Sequence, residues 1–211
     1  KTGDPTRFAS WEEFYSAWKA QMAYLIQYTA ELYDQFESYR AKYFPTPYVS
    51  ILMDGLIEQG LDIREAPPKY GFITVEGVAF ATTVDSLLAI KKYVYDEQKY
   101  TIDELRQALR ANFQGNQEYI IMQALFKNKS PKYGSNAALA DQMAKDVMTF
   151  WANETWKYKT STGYQFRPGM LSWNYWAGED AAFTPATPDG RLANTFLSNA
   201  ICPTNGADLK G

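Results

Sequence analysis

The sequence predicts an α/β protein that is predominantly helical. Apolar residues recur every three or four positions over long stretches, which is typical of amphipathic helices. Two short segments, 71–76 and 169–175, are instead rich in apolar, β-branched or aromatic residues and read as strands. The order strand, glycine turn, helix after residue 71 is typical of α/β folds. With no internal repeat or linker, residues 1–211 are expected to form a single unit.

The first helix is predicted over about residues 10–42. Ser10 and Glu13 have the spacing of a capping box, and Pro45 ends the helical pattern. Apolar side chains at helical spacing predict one buried face along its whole length, as expected for a wall element of a large domain. The residues of this predicted face are Trp11, Phe14, Tyr15, Trp18, Met22, Leu25, Ile26, Leu32, Phe36 and Tyr39.

The next part of the chain contains a helix, a strand and a second helix. Pro47 suits a first helical position and Gly60 a helix stop, so a helix is predicted over 47–59. After a proline-rich extended stretch, the strand 71–76 leads through a glycine into a helix predicted over about 78–97. This segment is the clearest α/β signature in the sequence.

Three further helices and a strand are predicted in the second half. A capping box that begins at Thr101 opens a helix over 101–112, a second helix covers about 116–127, and a third covers about 135–157. The strand at 169–175 follows, and strand alternation turns Met170, Ser172 and Asn174 to one side and the bulkier residues between them to the other.

Composition excludes several classes of function. The net charge of −3 and the lack of a dense basic patch argue against nucleic acid as a partner. No run of about 18 apolar residues is present, so no membrane span is expected. The chain contains no histidine, which removes imidazole bases and most zinc sites. The single cysteine, Cys202, excludes an intrachain disulfide, fits a cytoplasmic protein and is expected to be buried as a small apolar residue.

Few ionisable residues stand where chemistry is expected. Glu65 precedes the first predicted strand, and Glu76 is its last residue. If Glu76 points into a closed interior, its desolvated carboxyl group can exchange a hydrogen bond with a polar substrate group; the alternative is a salt bridge or hydrogen bond to a neighbouring helix. Glu179 and Asp180 are adjacent on a loop, where side chains rarely converge, so no metal site is predicted there. Asp189 and Arg191 are expected to hold a turn.

Six segments along the chain carry a family resemblance. They are Thr2–Pro5 with Ser10–Phe14, Asp85–Leu87 with Ala89–Lys92, Leu109–Phe113, Pro131–Gly134, Arg167–Gly169 and Ala186–Arg191. In this order they resemble the glycyl radical enzymes, the pyruvate formate-lyase-like family, over nearly all of the chain. No single segment is decisive, but six in register are specific.

The resemblance implies a fold and a reaction class. The family fold is a ten-stranded α/β barrel around a buried site, so residues 1–211 would be a partial barrel domain from the C-terminal part of the catalytic domain. A glycyl radical on one loop takes a hydrogen atom from a cysteine on another, and the thiyl radical attacks the substrate. The cysteine loop would precede Lys1 and the glycine loop would follow Gly211. The chain would then hold no catalytic residue and is expected to be inactive alone.

The resemblance also implies cofactors and partners. In the family an activating enzyme that uses S-adenosylmethionine and an iron–sulfur cluster installs the radical, so no cofactor bound directly by this chain is expected. The partners would be the rest of the parent enzyme or a completing chain, the activating enzyme and a small-molecule substrate, and the parent would be a homodimer. The reaction would be anaerobic radical cleavage or formation of a C–C or C–X bond, of the lyase, decarboxylase or fumarate-adding type.

The resemblance identifies candidate substrate-binding residues as well. The second strand would line the substrate cavity, with Met170, Ser172 and Asn174 turned inward to tune specificity, and Glu76 would join them from the first strand. Glu65 is a further candidate, since many family members carry two glycines where this chain has Glu65-Ala66, and this departure from the family pattern lies close to the site.

Two other interpretations stay open at this stage. The chain can be a non-catalytic helical scaffold or interaction module, or a split subunit completed by a partner chain. A coding sequence that continues into an Arg-Val-x-Gly-Tyr-like segment would favour the enzyme. A ligand-binding protein unrelated to the family would require six ordered matches to be coincidence. As an opened barrel with unpaired strand edges, the isolated chain is expected to be unstable or oligomeric.

Overall fold

The computed structural model of the chain describes residues 2–171 and 181–208. Within these ranges the chain is mainly helical and carries a two-stranded sheet, which confirms the predominantly helical α/β class. The chain forms two compact units. The first consists of Lys1–Ala17, Gly77–Thr149 and Met170–Gly211, and the second of Trp18–Glu76 and Phe150–Gly169. A single partial barrel domain over 1–211 stays a prediction.

The helices follow the predicted order. They are α1 (Trp11–Tyr43), α2 (Pro47–Ser50), α3 (Leu56–Gln59), α4 (Phe80–Ile90), α5 (Ile102–Arg110), α6 (Gln117–Lys129) and α7 (Ala138–Thr155). The four helices predicted over 10–42, 101–112, 116–127 and 135–157 are confirmed to within three residues at each end. Across the described ranges, none of the helices is long and apolar enough to cross a membrane.

Helix α1 has the predicted length, and the predicted face is packed in the first half of the helix, where Trp11 is buried, but not in the second. Ile26 is buried, and Tyr33 meets Phe166 edge-on at 6.0 Å between ring centroids. Leu32, the residue before Tyr33, and Phe36, the residue before the buried Glu37, are 53% and 56% exposed. Since one residue corresponds to about 100° of rotation, the packed face after Ile26 differs from the predicted one. The helix is apolar on two sides, and periodicity alone could not select between them. The members of the predicted face that are exposed are Leu25, Leu32, Phe36 and Tyr39.

The single helix predicted over 47–59 is wrong, because α2 and α3 are separate single turns. Gly55 adopts a φ of 89°, which a right-handed helix cannot continue through. The Ser50 hydroxyl, which has one proton to donate, lies 2.9 Å from the carbonyl oxygen of Thr46 and 2.8 Å from Asp62 Oδ2. Side-chain bonds of this kind compete with regular helix formation. Local polar chemistry therefore divides the segment.

Helix α4 starts two residues later than predicted and is followed by a π-helical segment. Ala79 adopts a φ of 59°, so regular helix begins only at Phe80. Val84 is fully buried, as the apolar pattern indicates. The last part, Lys91–Asp96, is a π-helix, and the Lys91 ammonium pairs with the Asp96 carboxylate at 2.8 Å. The predicted helix over 78–97 is thus present as an α-helix followed by a π-helical segment.

Both predicted capping boxes are present, with one difference. Thr101 Oγ1 accepts the N–H of Glu104 at 3.2 Å, and Glu104 Oε2 accepts the N–H of Thr101 at 2.7 Å. At the start of α1, Ser10 Oγ accepts the N–H of Glu13 at 3.2 Å, whereas Glu13 Oε2 accepts the N–H of Ala9 at 2.7 Å. Each pair satisfies amide groups that the first helical turn leaves unpaired.

The sheet contains β1 (Phe72–Gly77) and β2 (Gln165–Met170). The first strand is confirmed within one residue, but the second begins four residues before the predicted 169–175. The reason is a preceding chain reversal, in which the N–H of Phe166 donates to the carbonyl oxygen of Tyr158 at 3.2 Å. Pro168 can stand in the strand because one ladder edge does not need its missing N–H. Residues 172–175 lie outside the described residues.

Candidate functional site

Strands β1 and β2 place side chains on a common face. The Arg167 guanidinium lies 3.4 Å from the centroid of the Phe72 ring. Further along, a Cβ added at Gly169 would lie 2.4 Å from Thr74 Cγ2 and 2.7 Å from Glu76 Oε2. At these contacts the residue numbers increase in the same direction along both strands, so the strands run parallel. Parallel pairing is possible because a long helical crossover joins the two strands. These five residues define what we call the polar sheet face.

Gly169 is the residue that gives Glu76 its place on the polar sheet face. The φ of Gly169 is not in the left-handed region, so a close approach explains the glycine rather than backbone strain. The Glu76 carboxylate is exposed and lies over the Cα of Gly169 in the neighbouring strand, where no side chain is present. Any larger residue at 169 would displace Thr74, Glu76 or both. The arrangement presents an acceptor group at the surface of the sheet.

Gly169→Ala is expected to destabilise the protein by about 1–3 kcal/mol, the usual range for overpacking. The added methyl group would overlap Glu76, so Glu76→Ala should relieve part of the loss while the similarly shaped Glu76→Gln should not. Denaturant midpoints of the single and double variants give the coupling, expected at about 0.5 kcal/mol or more for residues in contact. Additive effects in both double variants would contradict this contact.

The opposite face of the strand pair is covered by a helix. Phe166 is 2% exposed and packs against Tyr33 of α1. Side chains alternate along a strand, so Met170 lies on the same side of β2 as Phe166. Glu76 lies on the other side, with Gly169. The structure therefore does not bring Glu76 and Met170, two of the predicted substrate-binding residues, to the same face.

The remaining predicted site residues are not grouped with Glu76 either. Glu65 is exposed, and its Oε2 accepts the N–H of Asp62 at 2.9 Å, a bond within one turn. Ser172 and Asn174 lie outside the described residues. Of the predicted site residues that the structure describes, Glu76 is the one on the polar sheet face, beside Gly169, and its role in substrate binding stays a prediction.

The other unit contains a buried charged pair that the sequence did not single out as a site. Asp85 is fully buried; its Oδ1 accepts the N–H of Tyr133 at 2.8 Å and its Oδ2 accepts the Thr204 hydroxyl at 2.9 Å. Lys132 Nζ lies 4.0 Å from the same carboxylate. Burial raises the pKa of Asp85 to about 6 against the opposing effect of Lys132, and burial lowers the pKa of Lys132. Desolvation thus outweighs the attraction between the two charges.

A sequence signal for this pair existed. Asp85 is four residues after Ala81 and three before Leu88, both of which belong to the buried face of α4. A carboxylate at such a position must find partners when the helix packs. The identity of those partners depends on contacts with residues 132, 133 and 204, which no local pattern contains.

The turn around Gly190 is held by internal hydrogen bonds. Asp189 Oδ1 accepts the N–H of Arg191 at 3.2 Å. The Arg191 guanidinium has five N–H donors and makes five bonds, one to Thr187 Oγ1 and four to backbone carbonyl oxygens. The prediction that Asp189 and Arg191 hold the turn is confirmed. With all of its donors used, Arg191 has a structural rather than a substrate-binding role.

The described part of the chain offers few residues for cysteine chemistry or metal binding. Cys202 is exposed, so the expectation that it is buried is wrong. It follows a short turn, in which its N–H donates to the Asn199 carbonyl oxygen at 2.9 Å, outside any regular element. In the part of the chain that the structure describes, no three His, Cys, Asp or Glu side chains are grouped as a metal site requires; Glu179 and Asp180 lie outside that part. An iron–sulfur cluster is usually held by several cysteine thiolates, and the chain has one cysteine.

The chain is similar to known enzymes over its whole length. A sequence profile of the family described as pyruvate formate lyase-like matches residues 1–177. The trans-4-hydroxy-L-proline dehydratase of Clostridioides difficile is 36% identical over 213 residues, which cover 100% of this chain and 26% of the dehydratase. The isethionate sulfite-lyase of Oleidesulfovibrio alaskensis is 32% identical, over 100% of this chain and 25% of that enzyme.

A solved structure also matches the chain over its whole length. The structure from work on 1,2-propanediol dehydration in Roseburia inulinivorans superposes with a TM-score of 0.93 at 31% identity. The match covers 100% of this chain and 27% of that one. The 211 residues therefore span about a quarter of the length of these relatives.

Proposed function

Because the chain belongs to the pyruvate formate-lyase-like family of glycyl radical enzymes, we propose that it is a segment of a larger enzyme that cleaves a C–X bond of a small polar substrate by anaerobic radical chemistry. The names of two relatives, a dehydratase and a sulfite-lyase, denote elimination reactions. They support cleavage of a C–O or C–S bond within a family that also includes decarboxylases and fumarate-adding enzymes.

The segment's part in that enzyme is to supply barrel wall. The observation that carries this proposal is the two-sided strand pair, with Phe166 packed beneath α1 on one side and the polar sheet face on the other. In an α/β barrel the helices lie outside, so the face away from α1 would face the substrate. A two-stranded sheet is marginal by itself, which supports neighbouring strands from the rest of a ten-stranded barrel.

Glu76 is the substrate-contacting residue that this geometry favours. Its carboxylate can accept a hydrogen bond from a substrate hydroxyl or ammonium group and hold it in a fixed orientation. The radical would be supplied by a glycine and a cysteine outside these 211 residues, after activation by an S-adenosylmethionine and iron–sulfur enzyme. This chain's contribution is therefore orientation, and the segment alone would be inactive.

Glu76→Gln in the activated parent enzyme is expected to lower kcat/KM by about 10-fold or more, because a hydrogen bond to a charged group contributes about 1.5–3 kcal/mol. The assay would use 1,2-diols, hydroxylated amino acids and hydroxyalkyl sulfonates under anaerobic conditions. The glycyl radical content, counted by electron paramagnetic resonance, should not change. Glu58→Gln, at an exposed glutamate of α3, is the matched control and should retain activity. Equal activities of Glu76→Gln and wild type on every accepted substrate would contradict the role of Glu76.

The denatured mass of the natural polypeptide tests the segment itself. A mass several-fold above 24.1 kDa is expected. A mass of 24.1 kDa would instead favour a split subunit or a non-catalytic scaffold completed by a partner chain. A homodimeric parent and a cytoplasmic location remain predictions.

A further inference from the structure

Arg167 is the second charged residue of the polar sheet face. Its side chain is exposed, and the guanidinium lies 3.4 Å from the centroid of the Phe72 ring. A separation this short is that of stacked planes, so the ring covers one face of the guanidinium and holds the group in place. The N–H groups at the edges of a stacked guanidinium stay available to an acceptor.

The two charges of the polar sheet face are separate from each other. Within the described residues, neither the Arg167 guanidinium nor the Glu76 carboxylate has a hydrogen-bond or ion-pair partner. The Glu76 carboxylate approaches Gly169, which follows Arg167 by two residues. At about 3.3 Å per strand residue, the two charges are about 7 Å apart along the sheet. Groups at this spacing do not neutralise each other but can hold the two ends of one small molecule.

The surroundings of this face in the proposed barrel decide what the two charges bind. A charge that is removed from water without a partner is strongly destabilised. If the face meets the substrate, the substrate must supply an acceptor for Arg167 and a donor for Glu76. A guanidinium binds an oxyanion through two parallel N–H bonds, and such charge-assisted bonds are stronger than a bond to a neutral hydroxyl group.

We propose that Arg167 determines substrate specificity by binding an oxyanion of the substrate, a carboxylate or a sulfonate, while Glu76 holds a hydroxyl or ammonium group at the other end. The inference rests on the proposed function and narrows its substrate to a small molecule that carries an oxyanion as well as the C–X bond that is cleaved. Arg167 takes part in binding only and breaks no bond. A neutral diol would leave Arg167 unpaired and would be a poor substrate.

Arg167→Gln in the activated parent enzyme tests the proposal. The wild-type parent should favour a hydroxyalkyl sulfonate or a hydroxylated amino acid over a 1,2-diol by about 10-fold or more in kcat/KM. Arg167→Gln should lower kcat/KM for the anionic substrate by about 10-fold or more, mainly by raising KM, because the bond is made in the ground state and the transition state alike. Activity on the 1,2-diol should change little. Comparing the sulfonate with the amino acid identifies the oxyanion that Arg167 binds.

Two further variants and one binding measurement complete the experiment. Arg110→Gln, at an exposed arginine in the last turn of α5, is the matched control and should leave both activities unchanged. Arg167→Lys keeps the charge but loses the paired N–H edges, so it should keep part of the preference. Calorimetry with the same substrates and the parent without its radical should show the same loss of affinity, with no turnover involved.

The outcomes separate this inference from the proposed function. A wild-type parent that cleaves 1,2-diols as well as anionic substrates, or better, would overturn the specificity and leave the function standing. An Arg167→Gln variant that loses activity equally on both kinds of substrate would give Arg167 a structural role and overturn the inference as well. An activated parent that cleaves no C–X bond in any of these substrates would overturn both proposals together.

Discussion

Gly190→Ala is expected to destabilise the protein by about 3 kcal/mol or more, because two effects act together. Gly190 has a φ of 90°, a conformation that residues with a side chain rarely adopt. In addition, an added Cβ would lie 2.7 Å from the backbone nitrogen of Lys127 in α6. Backbone atoms inside a helix cannot move aside as a flexible side chain can. The shift should also break the bond from Gln123 Nε2 to the Gly190 carbonyl oxygen, now 2.8 Å.

Gly115→Ala is the matched control, since it changes one of the two effects only. Its φ is 80°, but no atom lies within 4 Å of an added Cβ. The expected loss is about 1 kcal/mol, from backbone conformation alone. Urea midpoints of both variants, measured on the same preparation, give the difference. Equal losses would mean that the approach to Lys127 is not what requires a glycine at 190.

The Pro-Asp-Gly-Arg turn illustrates how far local reasoning reaches. Asp189, Gly190 and Arg191 predicted a turn because their preferences act within a few residues, and the structure confirms that turn. The turn lies against Lys127 of α6, and Lys132 donates to the Asp189 carbonyl oxygen at 2.8 Å. Both contacts join residues that are far apart in sequence. Such contacts leave no periodic trace in the sequence.

The same distinction explains the errors. The capping boxes and helix lengths depend on short-range chemistry and were predicted well. The buried side of the second half of α1 was not, because apolar residues lie on both sides there and only tertiary contacts choose between them. For the candidate site, sequence reasoning selected Glu76, whose role stays a prediction, but it did not select Gly169. Neighbours on adjacent parallel strands can be nearly a hundred residues apart in sequence.

Asp85→Ala is expected to destabilise the protein by about 3–5 kcal/mol at pH 7, the usual loss when one partner of a buried ion pair is removed. The Lys132 ammonium would remain buried without its counterion, and the N–H of Tyr133 and the hydroxyl of Thr204 would lose their acceptor. Asp54→Ala, at an exposed carboxylate, should change stability by about 0.5 kcal/mol or less. A comparable small effect at Asp85 would show that the cluster relaxes or admits water.

Asp85→Asn separates the hydrogen bonds of Asp85 from its charge. Burial raises the pKa of Asp85 to about 6 in the folded protein, whereas an unfolded aspartate titrates near 3.9. Between about pH 4 and pH 6 the folded state holds more protons than the unfolded state, so this group's contribution to stability falls as pH rises, by about 3 kcal/mol in total. At about pH 7, one unit above this pKa, the penalty is nearly complete.

The amide introduced by Asp85→Asn could still accept from Tyr133 but would not titrate, so this variant should lack that fall in the pH profile of its urea midpoint. The difference between the wild-type and Asp85→Asn profiles should then change steadily between pH 4 and about pH 7 and stay level above it. Lys132 and Asp189, the charged groups facing Asp85, are present in both proteins and largely cancel in the difference. Parallel profiles from pH 4 to pH 7 would mean that the buried carboxyl keeps an ordinary pKa, and that its attraction to Lys132 offsets the desolvation after all.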